Sequence, residues 1–353
     1  MVTTPKETYV RHNIRSIVFT VAVVVVCLIL IVFSVSMGDY PIGFSEAYGI
    51  IVDHILGNTP DTYEGHLKDF IVCDLNMGHV LGAVLVGAVL SVAGAAMQMV
   101  LRNPLADPYS VGISSGASFG VTLSIVAGFT IFPVGGLIAG QIVNAFVFSL
   151  IPMAAILAIS VVKRTSPTMT ILVGVSLMYL FSAATTLMKV TAEPNKLAEA
   201  YRWAIGSLGT IPWADMPFVI AAAVVSVVFM TYMAGRLNIL TTNRNLVQSL
   251  GINHSRTSAA VMLVASLTTS TVVCFTGTIG FVGLVAPHLA RTISGSNARY
   301  LIPCSAAMGM LMLLVSDIVA RLVSLPVGVI TALIGAPVFL YFLIRNRKTS
   351  WNW

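Results

Sequence analysis

Between Arg15 and Asp39 the chain carries no charged residue. An uninterrupted apolar run of that length is what a helix needs to cross a bilayer, about 20 residues. Such runs recur along almost the whole sequence, at about 14–36, 78–100, 113–131, 137–162, 168–188, 213–234, 257–276, 278–293, 301–323 and 328–344. Only 9% of residues are charged, where soluble chains carry roughly a quarter. The expected fold class is therefore all-α, a multi-pass membrane protein with about ten transmembrane helices. The longest polar stretches, 37–79 and 189–215, are too short for a catalytic module, so residues 1–353 read as one transmembrane domain. The first run follows Lys6, Arg11 and Arg15 but is too long for a signal peptide and lacks a small-x-small cleavage site, which makes it a retained helix.

Charge orients the spans. With the N-terminus cytoplasmic, the inside segments hold Lys6, Arg11, Arg15, Arg102, Lys163, Arg164, Arg236, Arg244, Arg256, Arg291, Arg299, Arg345, Arg347 and Lys348. The outside segments hold Lys68, Lys189, Lys196 and Arg202, together with most of the acids. This satisfies the positive-inside rule at every inner loop and places both termini in the cytoplasm. The net charge of +6 is thus a topology signal, and no basic cluster interleaved with aromatics points to nucleic acid.

Cys27, Cys73, Cys274 and Cys304 form no CxxC pair and no metal-ligand spacing. Buried free thiols, and no metal, are expected. The connector "NPLADPYSVGISSGASFG", 103–120, ends the second span at Pro104 and Pro108. Gly112, Gly116 and Gly120 then recur every four residues, a doubled small-xxx-small face for close helix packing.

The run "GAVLVGAVLSVAGAAMQMVLRNPLADPYSVGISSGASFG" resembles the signature region of permease subunits of ABC importers for iron–siderophore, haem and cobalamin complexes, the type II, FecCD-like transmembrane subunits. "WAIGSL" at 203–208, "LVQSLGI" at 246–252, "TIGFVGLVAPHLAR" at 278–291 and "LPVGVITALIGAPVFLYFLIR" at 325–345 resemble further segments of that family, in the same order. The resemblance implies a homodimer in the cell membrane with a path along its two-fold axis, two cytoplasmic ATPase subunits and an extracytoplasmic binding protein. It also implies that ATP and Mg lie on the partner ATPases. This chain has no GxxxxGK[ST] phosphate loop, so it is expected to be a transport subunit, not an enzyme, with no cofactor of its own. Selectivity for the cargo is expected to reside in the binding protein.

The same resemblance suggests roles for particular residues. The loop carrying Arg244, Leu246, Gln248, Leu250 and Gly251 stands where the family couples to its ATPase, and Thr241 or Thr242 could cap a short helix there. Thr165, Ser166 and Pro167 stand near the cytoplasmic gate, although Ser-Pro is also an ordinary helix start. Ser176 and Thr185 either line a path or bond to a neighbouring helix. Asp317 and Arg321, four apart, form a candidate intramembrane pair, either structural or near an outer vestibule. Arg321 matches a basic position that meets the binding protein. At Asn76-Met77-Gly78-His79 the chain departs from the family's outward Arg-x-Pro-Arg element, so docking is expected from Asn76, His79, Lys196, Arg202 and Arg321.

An ion-coupled secondary transporter is the alternative. It would need several carboxylates near the midplane, and Asp317 stands almost alone. A channel would need a carbonyl filter or charged ring, and neither is present in the sequence.

Overall fold

Turn chemistry decides where the helices begin and end. The computed structural model describes residues 5–38, 40, 42–58, 60–132, 136–162, 167–242 and 252–345. Among them, all regular structure is helical. α1 is Pro5–Val35, α2 Phe44–Leu56, α3 Tyr63–Asp69, α4 Met77–Val100, α5 Ile113–Ala127 and α6 Gly136–Val162. α7 is Pro167–Val190, α8 Pro194–Ile205, α9 Met216–Leu240, α10 His254–Thr276, α11 Val282–Ser294, α12 Ala298–Leu322 and α13 Val327–Arg345. A π-helical segment, Phe70–Asn76, joins α3 to α4 without a break.

Seven described helical runs are long and apolar enough to cross a membrane: Asn13–Val35, Tyr63–Val100, Ile138–Ile159, Thr168–Val190, Trp213–Leu240, His254–Thr276 and Ala298–Leu322. Ile113–Ala127 and Val327–Phe342 are apolar but shorter, and α11 has 13 residues.

Two expected spans are cut short for local reasons. The third ends at Ala127, because Gly128 takes a left-handed conformation, and the N–H groups of Gly128 and Phe129 turn back to the Ser124 and Leu123 carbonyls. The eighth begins only at Val282, because Gly277 and Phe281 both have positive φ. The polar stretch 37–79, expected to be too short for a catalytic module, is largely helical among its described residues. It folds into α2, α3 and the π segment.

α4 is the central element, packed against α9, α10, α11 and α12. Hydrophobic transfer cannot drive helices together in lipid, so close van der Waals packing must do it, and that requires small residues. α4 supplies them in Ala83, Gly87, Ala88, Ala93, Gly94, Ala95 and Ala96, all buried. At Gly94 an added Cβ would lie 1.8 Å from the Gly283 carbonyl oxygen of α11. Two apolar clusters stack along α4, one around Val35, Val72, Leu208 and Leu314 and the other around Met97, Met230, Leu237 and Leu301. The face of α1 bearing Ile17, Val18, Val21, Leu28 and Ile29 is bare of protein, as a lipid-facing surface must be.

The 103–120 connector is a set of local caps. Asn103 Oδ1 accepts from the Leu105 N–H, and Asp107 and Ser110 bond reciprocally. Gly112 is not on the expected helix face. It has φ 97° and precedes α5 as its N-cap, beside Gly174 and Pro152. Gly116 and Gly120 do lie on α5 and meet α6, where an added Cβ would stand 2.4 Å from the Phe148 and Asn144 carbonyl oxygens.

Candidate functional site

One buried carboxylate within the bundle is held from two sides. Asp317 and Arg321 sit one turn apart on α12, and the Asp317 side chain is 1% exposed. Its Oδ2 lies 3.0 Å from Arg321 Nε, an ion pair rather than an aligned hydrogen bond. Its Oδ1 lies 2.8 Å from Nδ1 of His79, in the first turn of α4. The Arg321 guanidinium then reaches the end of α1: Nη1 donates to the carbonyls of Ser34 at 3.0 Å and of Met37, and Nη2 to the Ser34 hydroxyl. Asn76 closes the circle, donating to the Val35 carbonyl at 2.9 Å while its Oδ1 lies 3.5 Å from Arg321. A charge taken out of water costs several kcal/mol unless paired and hydrogen-bonded. Here the compensation comes from three chain segments, so the cluster ties α1, α4 and α12 together.

A cavity of about 520 Å³ opens beside this cluster. His79, Asp317 and Arg321 line one part of it, with Gln141, Glu199, Arg202 and Trp203 among its other walls. Gln141 Nε2 donates to Glu199 Oε1 at 2.8 Å, linking α6 to α8. Beneath it, three separate motifs of the sequence meet. The Ser207 N–H donates to the Thr276 carbonyl at 2.8 Å, the Thr278 hydroxyl to the Ala204 carbonyl at 2.5 Å and the Gly328 N–H to the Gly206 carbonyl at 3.4 Å. The Ile279 N–H reaches the Tyr109 hydroxyl at 3.2 Å. Non-helical backbone at membrane depth is tolerated only where protein satisfies it, and here the Thr276 carbonyl and the Ile279 N–H both find protein partners.

The structure divides the expected docking residues. Asn76 is 6% exposed and its amide is spent on the Val35 carbonyl, so it joins helices and offers no docking surface. Arg321, with 11% of its side chain exposed, is likewise turned inward. His79 completes the Asp317 cluster and borders the cavity. Arg202 is exposed in the last turn of α8. Lys196 is half-buried on the same helix, with Nζ 3.4 Å from the Val126 carbonyl. Glu199, Trp203 and Gln141 were missed as lining residues. "WAIGSL" was visible as a motif, but nothing local to it shows that it faces α4 and α12.

The expected path residues separate too. Ser176 and Thr185 are nine apart on α7, which at about 100° per residue puts them on opposite faces. Ser176 is exposed and its hydroxyl donates back to the Leu172 carbonyl at 2.8 Å. Thr185 is 7% exposed and donates to the Phe181 carbonyl at 2.7 Å, so it cannot share a path with Ser176. Pro167 is the first residue of α7. Thr165 and Ser166 lie outside the described residues, as do Arg244, Leu246, Gln248, Leu250 and Gly251. The hydroxyls of Thr241 and Thr242 donate to the Asn238 and Ile239 carbonyls and close α9.

A glycine-packed helical bundle with a buried ion-paired cluster and a cavity at one end is the architecture of a multi-pass membrane transport subunit. The chain belongs to the FecCD transport family, whose model matches residues 26–345. A protein of Methanocaldococcus jannaschii classed as an ABC transporter permease is 33% identical, over 97% of this chain and 98% of that protein. The cobalamin import system permease protein of Halobacterium salinarum is 39% identical, over 76% of this chain and 71% of its own length. Among solved structures, an inward-facing transporter assigned to the metal-chelate ABC type superposes with TM-score 0.79 and 27% identity, covering 92% of this chain and 98% of that one. The chain is therefore a membrane permease subunit of an ABC importer.

Proposed function

We propose that the chain carries a metal chelate of the iron–siderophore, haem or corrinoid class across the cell membrane as one half of a homodimer. It has ten spans with both termini cytoplasmic, two separate ATPase subunits below it and an extracytoplasmic binding protein above it. The family match over 26–345 supports this reading most strongly, and the distribution of basic residues supports its orientation. The docking surface is assigned to Lys196 and Arg202 on α8, the gate to residues 165–167 and the coupling contact to the loop around Leu250. The Asp317 cluster speaks against the ion-coupled alternative. A coupling carboxylate must exchange its ion with water, whereas Asp317 is 1% exposed and held by both Arg321 and His79.

Uptake by proteoliposomes containing the permease, its ATPase and its binding protein tests the proposal. Labelled iron chelates, haem and cobalamin are offered in turn. Accumulation of one of them that requires ATP and is indifferent to ionophores is expected. Uptake that is driven by an ion gradient without ATP would refute the reading.

A further inference from the structure

Spacing alone gave no hint of a metal site, yet folding brings three ligand types together outside the Asp317 cluster. His54 lies in the last turn of α2, Asp69 ends α3 and Cys73 lies in the π segment. One ligand atom from each, imidazole nitrogen, carboxylate oxygen and thiol sulfur, lies within 4.8 Å of the other two. We propose that His54, Asp69 and Cys73 bind a single divalent cation of the borderline-soft class, with Zn²⁺ as the reference ion, and that this ion clips α2 to the π segment.

Four observations carry the inference. The first is distance. Tetrahedral Zn²⁺ with N, O and S ligands sets them roughly 3.3–3.6 Å apart, and the trio's ligand atoms already lie within 4.8 Å of one another. His54 Nδ1 now stands 2.9 and 3.1 Å from the two Asp69 oxygens, a direct contact that the ion would replace. The second is the ligand set. Imidazole with thiolate selects Zn²⁺ and its transition-metal neighbours over Mg²⁺ or Ca²⁺. Three protein ligands leave a fourth position for water or an incoming ligand. The third is the backbone. Single π turns inside helices recur at functional sites, and this one holds Cys73 on the same side as Asp69, four residues earlier. The fourth is charge. The adjoining cavity of about 430 Å³ is lined by Glu46, Asp53, Glu64 and Asp69 against Lys68, a field that concentrates cations. His54 and Asp69 are 52% and 22% exposed, so an ion can reach them. The site is independent of the cargo assigned above.

Titration of the full-length permease in nanodiscs with Co²⁺ tests the site. Thiolate ligation to Co²⁺ produces a near-ultraviolet charge-transfer band, and one equivalent per chain is expected, displaced by Zn²⁺. Cys73→Ser should abolish the band. Loss of outer-shell partners alone weakens metal sites by about 10–100-fold, so His54→Gln, which removes a direct ligand, should weaken Zn²⁺ binding by at least about 100-fold. Asp53→Asn, which alters the cavity wall and not the trio, should leave the band intact. Cys27, Cys274 and Cys304 are buried and supply no competing thiolate. If the unaltered chain binds Co²⁺ without the band, or not at all, the site does not exist. The same follows if the band survives in Cys73→Ser. Should Cys73→Ser fail to fold, the band in the unaltered chain and its response to His54→Gln still decide the matter, and an unchanged affinity in His54→Gln overturns the proposal.

Discussion

At the scale of single residues, Asp317 matters most, because one carboxylate answers both Arg321 and His79. Asp317→Asn keeps the shape but removes the negative charge paired with a guanidinium already committed to the Ser34 and Met37 carbonyls. Removing one member of a buried pair costs about 3–5 kcal/mol. The variant should unfold at a clearly lower temperature in detergent, and an unchanged thermal midpoint would show that the pair is incidental. At Glu46 the argument turns on pH. Its carboxyl is held below the usual carboxylate range by a hydrogen bond from Lys68, then by the Gly43 N–H. A depressed folded pKa contributes stability above the ordinary carboxylate pKa, and that stability is lost as pH falls through the lowered value. The protection of α2 amides, taken relative to their intrinsic exchange rates at each pH, should therefore fall in acid, and Lys68→Met should flatten that response.

At the scale of elements, close backbone approach is the organising demand. Gly116 of α5 abuts the Phe148 carbonyl of α6, so Gly116→Leu must push the two helices apart. Folded yield should fall sharply, as size-exclusion of the detergent-extracted protein will show. Gly78→Ala is the control, since a Cβ there meets nothing within 4 Å, and it should be neutral or mildly stabilising. The small-residue spacing of α5 was readable in sequence because helical periodicity is local. That Gly112 stands before the helix in a left-handed turn was not, because one residue of shift in a helix start is settled by the caps and neighbours around it.

At the scale of the whole molecule, the tests concern sidedness and coupling. Single cysteines placed at 5, 65, 195, 245 and 350 should divide into two classes. Those at 65 and 195 should label from outside, and those at 5, 245 and 350 should not; the reverse pattern would invert the topology and every role tied to it. Leu250→Asp introduces a charge into a contact expected to be apolar, and burying it unpaired should cost several kcal/mol. Membrane insertion and dimerisation should survive while co-purification with the ATPase and transport are lost. If both persist, the loop is a simple connector.

Hydropathy and charge asymmetry belong to short windows of chain and are judged against lipid and water alone. For that reason the sequence by itself determined the helical membrane class, the places of most apolar helices and the Asp317–Arg321 pair, whose partners share one helix face. What lay beyond it depends on how distant segments return to one another. His79 meets Asp317 across 238 positions of sequence, and Asn76 turns inward because the end of α1 is there to receive it. "WAIGSL", "TIGF" and "LPVG" join in one hydrogen-bonded node beneath a cavity that no one of them announces. Only the tertiary structure decided these, because a buried polar group takes whichever partner the packed helices bring within reach, and hydropathy does not encode that choice.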